Sequence, residues 1–463
     1  MSMYKVTNPA TGEVEREFPT ATDEELDGVL ARTSAAYDAW RATSREERAK
    51  FLLAVSELYK ERAADLASII TREMGKPTPE ALDEVDFSAS IYAYYANEGP
   101  KLLADRRLES AQPGEAWVRM SPIGPVLGIM PWNYPYYQVA RFSAPNLVIG
   151  NTVILKHAPQ CPESALAMAE IFREAGLPDD VYVNIFATNA QIAEMVADSR
   201  VAGVSVTGSE RAGAAVAGVA GQNLKKVVLE LGGSDPYIIL DTDDLPAVVR
   251  QTVAARMENA GQACNAAKRV IVMDRVYDEF VSEFTKAMAE QVPGDPADPD
   301  TTFGPLSSEQ AARTLMAQID DATEKGATVH LGGRRMEGPG AFVQATVLTG
   351  VTPEMRAYRE ELFGPAAVIY KVHSVDEAVA LANDTRYGLG AAVFSQDAQL
   401  ALEVADRLDT GMVWINEAEG GGPELPFGGT KRSGVGRELG PLGIEEFVNK
   451  KLIHIPDRSG EVK

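Results

Sequence analysis

Cysteine and histidine are scarce in this chain of 463 residues, which contains two cysteines, Cys161 and Cys264, and four histidines. Two cysteines cannot form a disulfide framework or a cysteine-rich zinc site. The histidines form no H-E-x-x-H or H-x-H pattern, so no metal site is expected. Long hydrophobic runs are also missing, because no stretch approaches the roughly 20 apolar residues that span a bilayer.

Basic residues are outnumbered: 44 lysines and arginines stand against 67 aspartates and glutamates, for a formal net charge of −23. The resulting field repels nucleic-acid phosphates and anionic lipids, so we expect neither a nucleic acid nor a membrane as a partner. A pocket for an anion would need its own basic residue. The first residues lack the apolar core of a signal peptide, and a cytoplasmic protein is expected.

The spacing of apolar residues predicts an α/β protein. At about 150 residues per domain, the length allows two or three domains. Helical spacing occurs over Asp23–Trp40, over residues 46–73 and over residues 79–97. From Gly124 onward, short apolar strands alternate with helices, and the alternation resumes after Asp235. This alternation predicts parallel sheets and a second α/β domain.

Two glycine-containing segments could bind phosphate. Thr207-Gly208-Ser209 follows an apolar strand and opens a helix of small residues, whose first backbone amides could hold a phosphate. The alternative is that Ser209 only caps that helix, and for this segment alone the alternative is favoured. Gly388-Leu-Gly390 lacks the third glycine of a dinucleotide fingerprint and is the weaker candidate.

Cys264 and Glu230 are candidates for chemistry. Small residues surround Cys264, which would let backbone and ligand approach closely. Glu230 ends an apolar strand, where a carboxylate is costly unless it has a task. Cys161 is interpreted as an inert core residue, which is the usual role of a lone cysteine. Asn133 lies between two prolines in Pro131-Trp-Asn-Tyr-Pro135, so its amide could donate to an oxyanion or the turn could be purely structural.

Together these segments resemble the NAD(P)-dependent aldehyde dehydrogenase superfamily over essentially the whole chain. The segments that carry the resemblance are Pro131-Trp-Asn-Tyr-Pro135, Leu155-Lys156, Thr207-Gly208-Ser209, Leu229-Glu230-Leu-Gly-Gly233, Gly261-Gln-Ala-Cys264, Glu361-Leu-Phe363-Gly364-Pro365, Pro426-Phe-Gly-Gly429, Lys431, Ser433-Gly434 and Gly436-Arg437-Glu438. The variants around Lys156 and Lys431 are most similar to the succinate-semialdehyde dehydrogenase-like branch.

The resemblance implies a covalent mechanism. A thiolate at Cys264 would attack the aldehyde carbon. The amide of Asn133 and the backbone N–H of Cys264 would hold the resulting oxyanion. Glu230 would act as the general base that lets water hydrolyse the thioester. Relatives that transfer the acyl group to coenzyme A tend to lack this glutamate, so a free carboxylic acid is the expected product.

The resemblance also implies a nicotinamide cofactor. Its predicted binding residues are Trp132, Lys156, Gly208, Ser209, Glu361 and Phe363. Among these, Lys156 would contact the adenosine ribose, and Glu361 would bind the nicotinamide ribose. Many NAD-preferring relatives carry a glutamate where this chain has Pro159, so a 2′-phosphate would meet no carboxylate there. NADP or NAD is expected, with NADP slightly favoured and Lys156 and His157 as candidate phosphate partners.

The implied substrate residues are Arg141, Glu258 and Phe427. Arg141 matches an arginine that can pair with a substrate carboxylate. Glu258 stands where several succinate-semialdehyde enzymes have a second arginine, and Gly421 where several have a serine. An ion pair between Arg141 and Glu258 is the alternative. Succinate semialdehyde is the expected substrate. The alternatives are another polar or hydroxylated aldehyde, a coenzyme A-dependent acyl transfer and, remotely, a non-catalytic binding protein.

The implied architecture is the aldehyde dehydrogenase fold. A Rossmann-like cofactor-binding domain would span residues 1–103 and 122–232, and an α/β catalytic domain would span residues 233–440. A small β oligomerisation element would comprise residues 104–121 and 441–463. Because exposed strand edges need covering, a homodimer or homotetramer is expected.

Overall fold

The computed structural model of the protein describes residues 3–418 and 420–457. The chain opens with an antiparallel hairpin and four helices: β1 (Tyr4–Thr7), β2 (Val14–Phe18), α1 (Asp23–Trp40), α2 (Arg45–Glu61), α3 (Ala63–Met74) and α4 (Thr78–Leu102). The single helix predicted over residues 46–73 is two helices. The break lies at Arg62, whose φ of −102° and ψ of 15° interrupt the helical geometry.

The first large sheet has six strands in the order β17-β9-β8-β5-β6-β7 within the described residues. Its elements are β5 (Pro125–Ile129), α5 (Tyr137–Ile149), β6 (Thr152–Lys156), α6 (Pro162–Glu174), β7 (Tyr182–Ile185), α7 (Asn189–Ala197), β8 (Gly203–Thr207), α8 (Glu210–Gln222), β9 (Lys226–Glu230) and β17 (Gly434–Val435). All neighbouring strands are parallel except β17, which runs antiparallel to β9. Parallel strands end at one edge of a sheet, where ligand sites of α/β proteins form.

The second large sheet has seven strands in the order β12-β13-β14-β11-β10-β15-β16 within the described residues. Its elements and helices are β10 (Asp235–Ile239), α9 (Leu245–Met257), β11 (Ala267–Met273), α10 (Asp274–Ala289), α11 (Glu309–Glu324), β12 (Thr328–Leu331), β13 (Thr346–Thr349), α12 (Arg356–Arg359), β14 (Ala366–Val372), α13 (Val375–Asn383), β15 (Ala392–Phe394), α14 (Ala398–Ala405) and β16 (Trp414–Ile415). Strands β10, β11 and β13 are completely buried, as expected for a parallel sheet covered on both faces.

A third sheet contains β3 (Arg106–Leu108), β4 (Gly114–Pro122) and β18 (Val448–Pro456), and α15 (Gly440–Gly443) precedes β18. This sheet lies within the predicted oligomerisation element, of which residues 458–463 lie outside the described residues. The predicted α/β class is confirmed. The domain limits remain a prediction, and β17 departs from them because it joins the first sheet although it falls within residues 233–440. In the described part of the chain, no helix is long and apolar enough to cross a membrane.

Candidate active site

Gly232 and Gly233, which follow β9, allow the segments that carry Cys264 and Glu361 to pack closely against the end of this strand. A side-chain carbon on Gly233 would lie 2.3 Å from the carbonyl oxygen of Cys264. One on Gly232 would lie 2.4 Å from Glu361 Oε2. Only glycine therefore permits this close approach. The structure thus brings Glu230, Cys264 and Glu361 together, although they are far apart in the sequence.

The backbone that leads to Cys264 is strained. Asn259 and Ala260 have positive φ angles of 52° and 55°, and Gly261 follows with a φ of 73°. A non-glycine residue in this region costs of order 1–3 kcal/mol. Glu80 Oε2 accepts a hydrogen bond of 2.8 Å from the Asn259 backbone N–H and so helps to hold the turn. The strain fixes the path of the loop on which the thiol is carried.

Asn133 is bonded directly to this loop. Its Nδ2 donates to the carbonyl oxygen of Gln262 at 3.0 Å, and its own carbonyl accepts from Asn259 Nδ2 at 2.8 Å. A side-chain amide has two hydrogens, so one remains for another acceptor. Asn133 is buried, and these hydrogen bonds join its turn to the segment that carries Cys264.

Burial dominates the electrostatics of the two candidate reactive groups. It raises the pKa of the Cys264 thiol to about 12, while Arg141 and Lys268 oppose that rise. It also raises the pKa of the Glu230 carboxyl well above its usual range, and Arg141 again opposes the rise. Neither oxygen of Glu230 has a hydrogen-bond partner among the described residues. Both groups therefore hold protons more strongly than they would in water.

Arg141, the predicted substrate anchor, has a buried partner within the protein. Its side chain is completely buried and forms an ion pair with Glu438. The guanidinium lies over the Phe427 ring, 4.5 Å from its centroid, and donates to the Tyr137 hydroxyl at 3.2 Å. A buried guanidinium needs a buried counter-charge, which Glu438 supplies. The role of Arg141 as a substrate anchor stays a prediction, against which this pairing weighs. The alternative pairing with Glu258 is wrong.

The cavity in front of Cys264 has a volume of about 440 Å³. Its aromatic lining residues are Phe87, Tyr134, Tyr137, Trp414 and Phe427, and its charged lining residues are Lys76, Glu80, Asp83, Glu84 and Glu258. Lys76 is ion-paired with Glu84. Tyr134 donates its hydroxyl hydrogen to Glu258. The predicted residues Glu258 and Phe427 therefore do line the cavity, whereas Arg141 does not, and carboxylates dominate its charge.

The opposite side of the site, at the end of β6, is basic. Lys156 is 6% exposed, and within the described residues no carboxylate forms an ion pair with it. Burial lowers the pKa of Lys156 to about 8. A buried cation without a counter-charge is costly, so the environment of Lys156 suits an anionic or polyhydroxyl ligand. Pro159 contributes only backbone here, its carbonyl accepting from the Lys5 N–H at 3.0 Å.

His157 is not available to a phosphate. Its Nδ1 accepts a hydrogen bond of 2.7 Å from the Ala158 N–H, and its Nε2 lies 2.9 Å from the Pro135 carbonyl oxygen. These partners require the proton on Nε2. Burial lowers the pKa of His157 to about 4, so the ring is neutral at pH 7. The expectation that His157 binds phosphate is therefore wrong.

The remaining cofactor candidates lie around the same edge. Ser209 Oγ accepts from the Ala212 N–H at 3.3 Å, so Ser209 does cap α8. A side-chain carbon at Gly208 would meet no atom within 4 Å, which leaves the helix start open. The rings of Trp132 and Phe363 meet edge to face with centroids 5.7 Å apart. The structure therefore brings the predicted aromatic pair together and leaves room beside the helix.

Sequence reasoning missed Lys268, whose side chain is buried at the start of β11. Its Nζ donates to the carbonyl oxygens of Ala263 at 2.8 Å and Cys264 at 2.7 Å. It also forms an ion pair of 3.0 Å with Glu361 Oε1. Glu361 Oε1 accepts in addition from the Gly233 N–H at 3.1 Å. Two adjacent basic residues, Lys268 and Arg269, at the start of a strand that otherwise contains only apolar residues were the signal that could have identified it.

Comparison with known proteins gives consistent matches. A model of the aldehyde dehydrogenase family matches residues 1–453. The succinate-semialdehyde dehydrogenase (NADP+) of Deinococcus radiodurans is 55% identical over 450 residues, which cover 97% of this chain and 94% of that protein. The succinate-semialdehyde dehydrogenase (NADP+) 1 of Mycobacterium tuberculosis is 42% identical, covering 97% of this chain and 98% of that protein. A crystal structure of succinic semialdehyde dehydrogenase from Streptococcus pyogenes in complex with NADP+ has a TM-score of 0.96 and 43% identity, covering 98% and 100% of the two chains.

Proposed function

Because this chain belongs to the aldehyde dehydrogenase family, as its motifs predicted, we propose that it oxidises succinate semialdehyde to succinate with NADP+. The names of the Deinococcus and Mycobacterium relatives, at 55% and 42% identity, support both the substrate and the cofactor. The single observation from the structure that supports the reaction type is that Cys264 lines the cavity on a loop bonded to Asn133, with Glu230 close enough to raise the Cys264 pKa.

Cys264 is the proposed nucleophile. Its thiol, which is partly exposed to the cavity, gives its proton to solvent water, and the thiolate forms a bond to the aldehyde carbon, which places negative charge on the substrate oxygen. The second amide hydrogen of Asn133 and the backbone N–H of Cys264 donate to that oxygen. NADP+, when bound, supplies the acceptor for the hydride that leaves the carbon. Arg141 and Lys268 favour the thiolate because their positive charges oppose the effect of burial on the Cys264 pKa.

Glu230 is the proposed base of the second half-reaction. The acyl group is then held on Cys264 as a thioester, which water must attack. A carboxylate whose pKa is raised by burial is a stronger base than an ordinary glutamate. Glu230 takes a proton from the water, the oxygen binds the acyl carbon, and the carbon–sulfur bond breaks. Succinate leaves, and Cys264 is regenerated.

The described residues fit an NADP cofactor. Lys156 is a buried cation with no carboxylate partner in the described chain, which suits the adenosine ribose and its phosphate. Oε1 of Glu361 is bonded to Lys268 and Gly233, which leaves Oε2 to accept from ribose hydroxyls. Trp132, Phe363, Gly208 and Ser209 are proposed to complete the site.

Another polar aldehyde is the second candidate substrate. Four carboxylates and one lysine line the cavity, and the lysine is already paired. A carboxylated substrate therefore enters a cavity of the same charge sign, which an uncharged hydroxylated aldehyde would not experience. The acidic cavity is therefore the reason to include an uncharged hydroxylated aldehyde in the test below.

Steady-state kinetics separate these possibilities. We expect the highest kcat/KM for succinate semialdehyde with NADP+, compared with butanal and 4-hydroxybutanal and with NAD+ as the second cofactor. Succinate should accumulate without coenzyme A. A higher kcat/KM for 4-hydroxybutanal would replace the proposed substrate, and a requirement for coenzyme A would replace the proposed hydrolysis.

A homo-oligomer and a cytoplasmic location are also proposed. The edge strands β3 and β18 carry exposed apolar side chains at Leu108, Leu452 and Ile455, which supports burial of this sheet against a second copy. Sedimentation equilibrium would distinguish monomer, dimer and tetramer. The two cysteines are unpaired, which agrees with a reducing compartment.

A further inference from the structure

Lys268 joins the two halves of the proposed site. Its Nζ lies within hydrogen-bond distance of the Ala263 and Cys264 carbonyl oxygens and within ion-pair distance of Glu361 Oε1. An ammonium group has three hydrogens, so these three acceptors use its full donor capacity. The side chain is buried. No water competes for these contacts, and the geometry is defined by protein groups alone.

We propose that Lys268 is a positioning residue that couples the backbone of the nucleophile Cys264 to the cofactor-binding carboxylate Glu361. On the nucleophile side, it orients the Cys264 peptide and places a positive charge beside the thiol. On the cofactor side, it holds Oε1 of Glu361 so that Oε2 is presented to the ribose. The roles of Cys264 and Glu361 in this inference rest on the proposed function, whereas the contacts of Lys268 with them do not.

The charges around Cys264 define what removal of Lys268 should do. Arg141 and Tyr137 face the thiol from α5, Glu230 from β9, and Glu361 from the segment before β14. Arg141 and Lys268 are the cations that lower the Cys264 pKa, and Glu361 and Glu230 raise it. Without Lys268, one of the two opposing cations is lost while Glu361 stays. The thiol must then become harder to ionise.

Alkylation of the cofactor-free protein tests the nucleophile side. Iodoacetamide labelling of the Cys264 peptide, followed by mass spectrometry between pH 7 and pH 11, reports its thiolate fraction. Lys268→Met should slow labelling at pH 8 by about tenfold, which is the effect expected from the loss of one charged hydrogen bond. The curve of labelling rate against pH should also move to higher pH. Lys268→Arg should restore most of the rate because it keeps the charge. An unchanged profile in Lys268→Met would overturn this half of the proposal.

Cofactor binding tests the other half. Quenching of tryptophan fluorescence should show that Lys268→Met binds NADP+ about tenfold more weakly than the unmodified protein. This is the effect expected from the loss of one charged hydrogen bond. In a Glu361→Gln background, the same substitution should have almost no further effect, because the coupled partner is already gone. Independent, additive losses would overturn the coupling. Both assays need no aldehyde, so they remain informative if succinate semialdehyde proves not to be the substrate.

Lys225 provides a matched control. Its Nζ also donates to two backbone carbonyls, those of Asp198 and Val201, but away from the site. Lys225→Met should therefore change neither the alkylation profile nor the NADP+ affinity. If Lys268→Met does not fold, as judged by circular dichroism, Lys268→Arg and Lys268→Gln carry the test. Normal alkylation in Lys268→Gln would overturn the proposal, since glutamine has no charge.

Discussion

The two sides of the site that meet at Cys264 have opposite charge. On the cofactor side, Lys156 is buried with no carboxylate paired to it in the described chain. On the substrate side, the cavity carries four carboxylates, and its lysine, Lys76, is neutralised by Glu84. Strong attraction is thus reserved for the anionic cofactor. No unpaired cation lines the substrate side among the described residues.

Removal of Cys264 should have the largest effect, because the proposed reaction begins with its thiolate. Cys264→Ala should abolish aldehyde oxidation while NADP+ still binds, since the hydride leaves only from a thiol adduct. Cofactor reduction and fluorescence quenching measure the two properties. Cys161 is the matched control: it is completely buried, and Cys161→Ala should keep its activity. Appreciable turnover by Cys264→Ala would show that another group is the nucleophile.

Glu230→Gln should separate the two half-reactions. Glutamine keeps the size of the side chain but cannot accept a proton from water. We expect a burst of reduced cofactor that matches the number of sites, followed by a steady rate about 10²–10⁴-fold lower. Stopped-flow absorbance records the burst, and intact mass spectrometry should detect the acylated protein. A missing burst would mean that Glu230 is also needed to deprotonate Cys264.

Arg141→Met should lower stability and, because Arg141 also favours the Cys264 thiolate, should slow the reaction of every aldehyde alike. It leaves Glu438 buried without its counter-ion, which costs about 3–5 kcal/mol. Urea unfolding measures this loss. Arg173→Met, which breaks an exposed ion pair with Glu170, should cost about 0–1 kcal/mol. Because Arg141 does not line the cavity, KM should change equally for succinate semialdehyde and butanal. A selective rise for succinate semialdehyde would restore its role as a carboxylate anchor.

Pro159→Glu should weaken NADP+ binding relative to NAD+ binding. A carboxylate there would face the 2′-phosphate, and one such close pair is worth about 1–3 kcal/mol at intermediate dielectric. NADP+ affinity should therefore fall by about fivefold to 150-fold, with little change for NAD+. Titration calorimetry measures both affinities, and Pro159→Gln controls for the loss of proline. Equal effects on the two cofactors would place the 2′-phosphate elsewhere.

Glu258→Gln should have the smallest effect and acts on the acidic side. It removes one carboxylate from the cavity wall and keeps an acceptor for the Tyr134 hydroxyl. The KM for succinate semialdehyde should fall about twofold to fivefold, as expected for a partly screened charge. The KM for butanal should not change. Glu57→Gln, at an exposed ion pair with Lys60, controls for the change in net charge. A higher KM for succinate semialdehyde would contradict the repulsion.

Local motifs allowed much of the site to be predicted. Cys264, Glu230, Asn133 and Glu361 each lie in a short segment whose residue types suit a defined chemistry, and the structure brings these segments together. The α/β class also followed from alternating strands and helices, which depend on local periodicity. The break between α2 and α3 was not predicted, because one non-helical residue hardly disturbs an apolar pattern.

Charge pairing could not be predicted in the same way. The partner of Arg141 is Glu438 rather than Glu258, and these residues are separated by most of the chain. His157 carried a plausible phosphate-binding side chain, yet its ring is fully bonded to Pro135 and Ala158. Which buried ions pair depends on long-range packing, and sequence spacing contains no record of it.

The sequence alone determined the family, the strand-end motifs and the side chains proposed to react, because each is encoded in a few consecutive residues. Only the tertiary structure decided which charges remain available to ligands. Arg141 is used within the protein, Lys156 is not, and Lys268 connects Cys264 to Glu361. The physical reason is that a charge removed from water is costly unless it is paired. Each buried charge therefore depends on the partners that the fold places within reach.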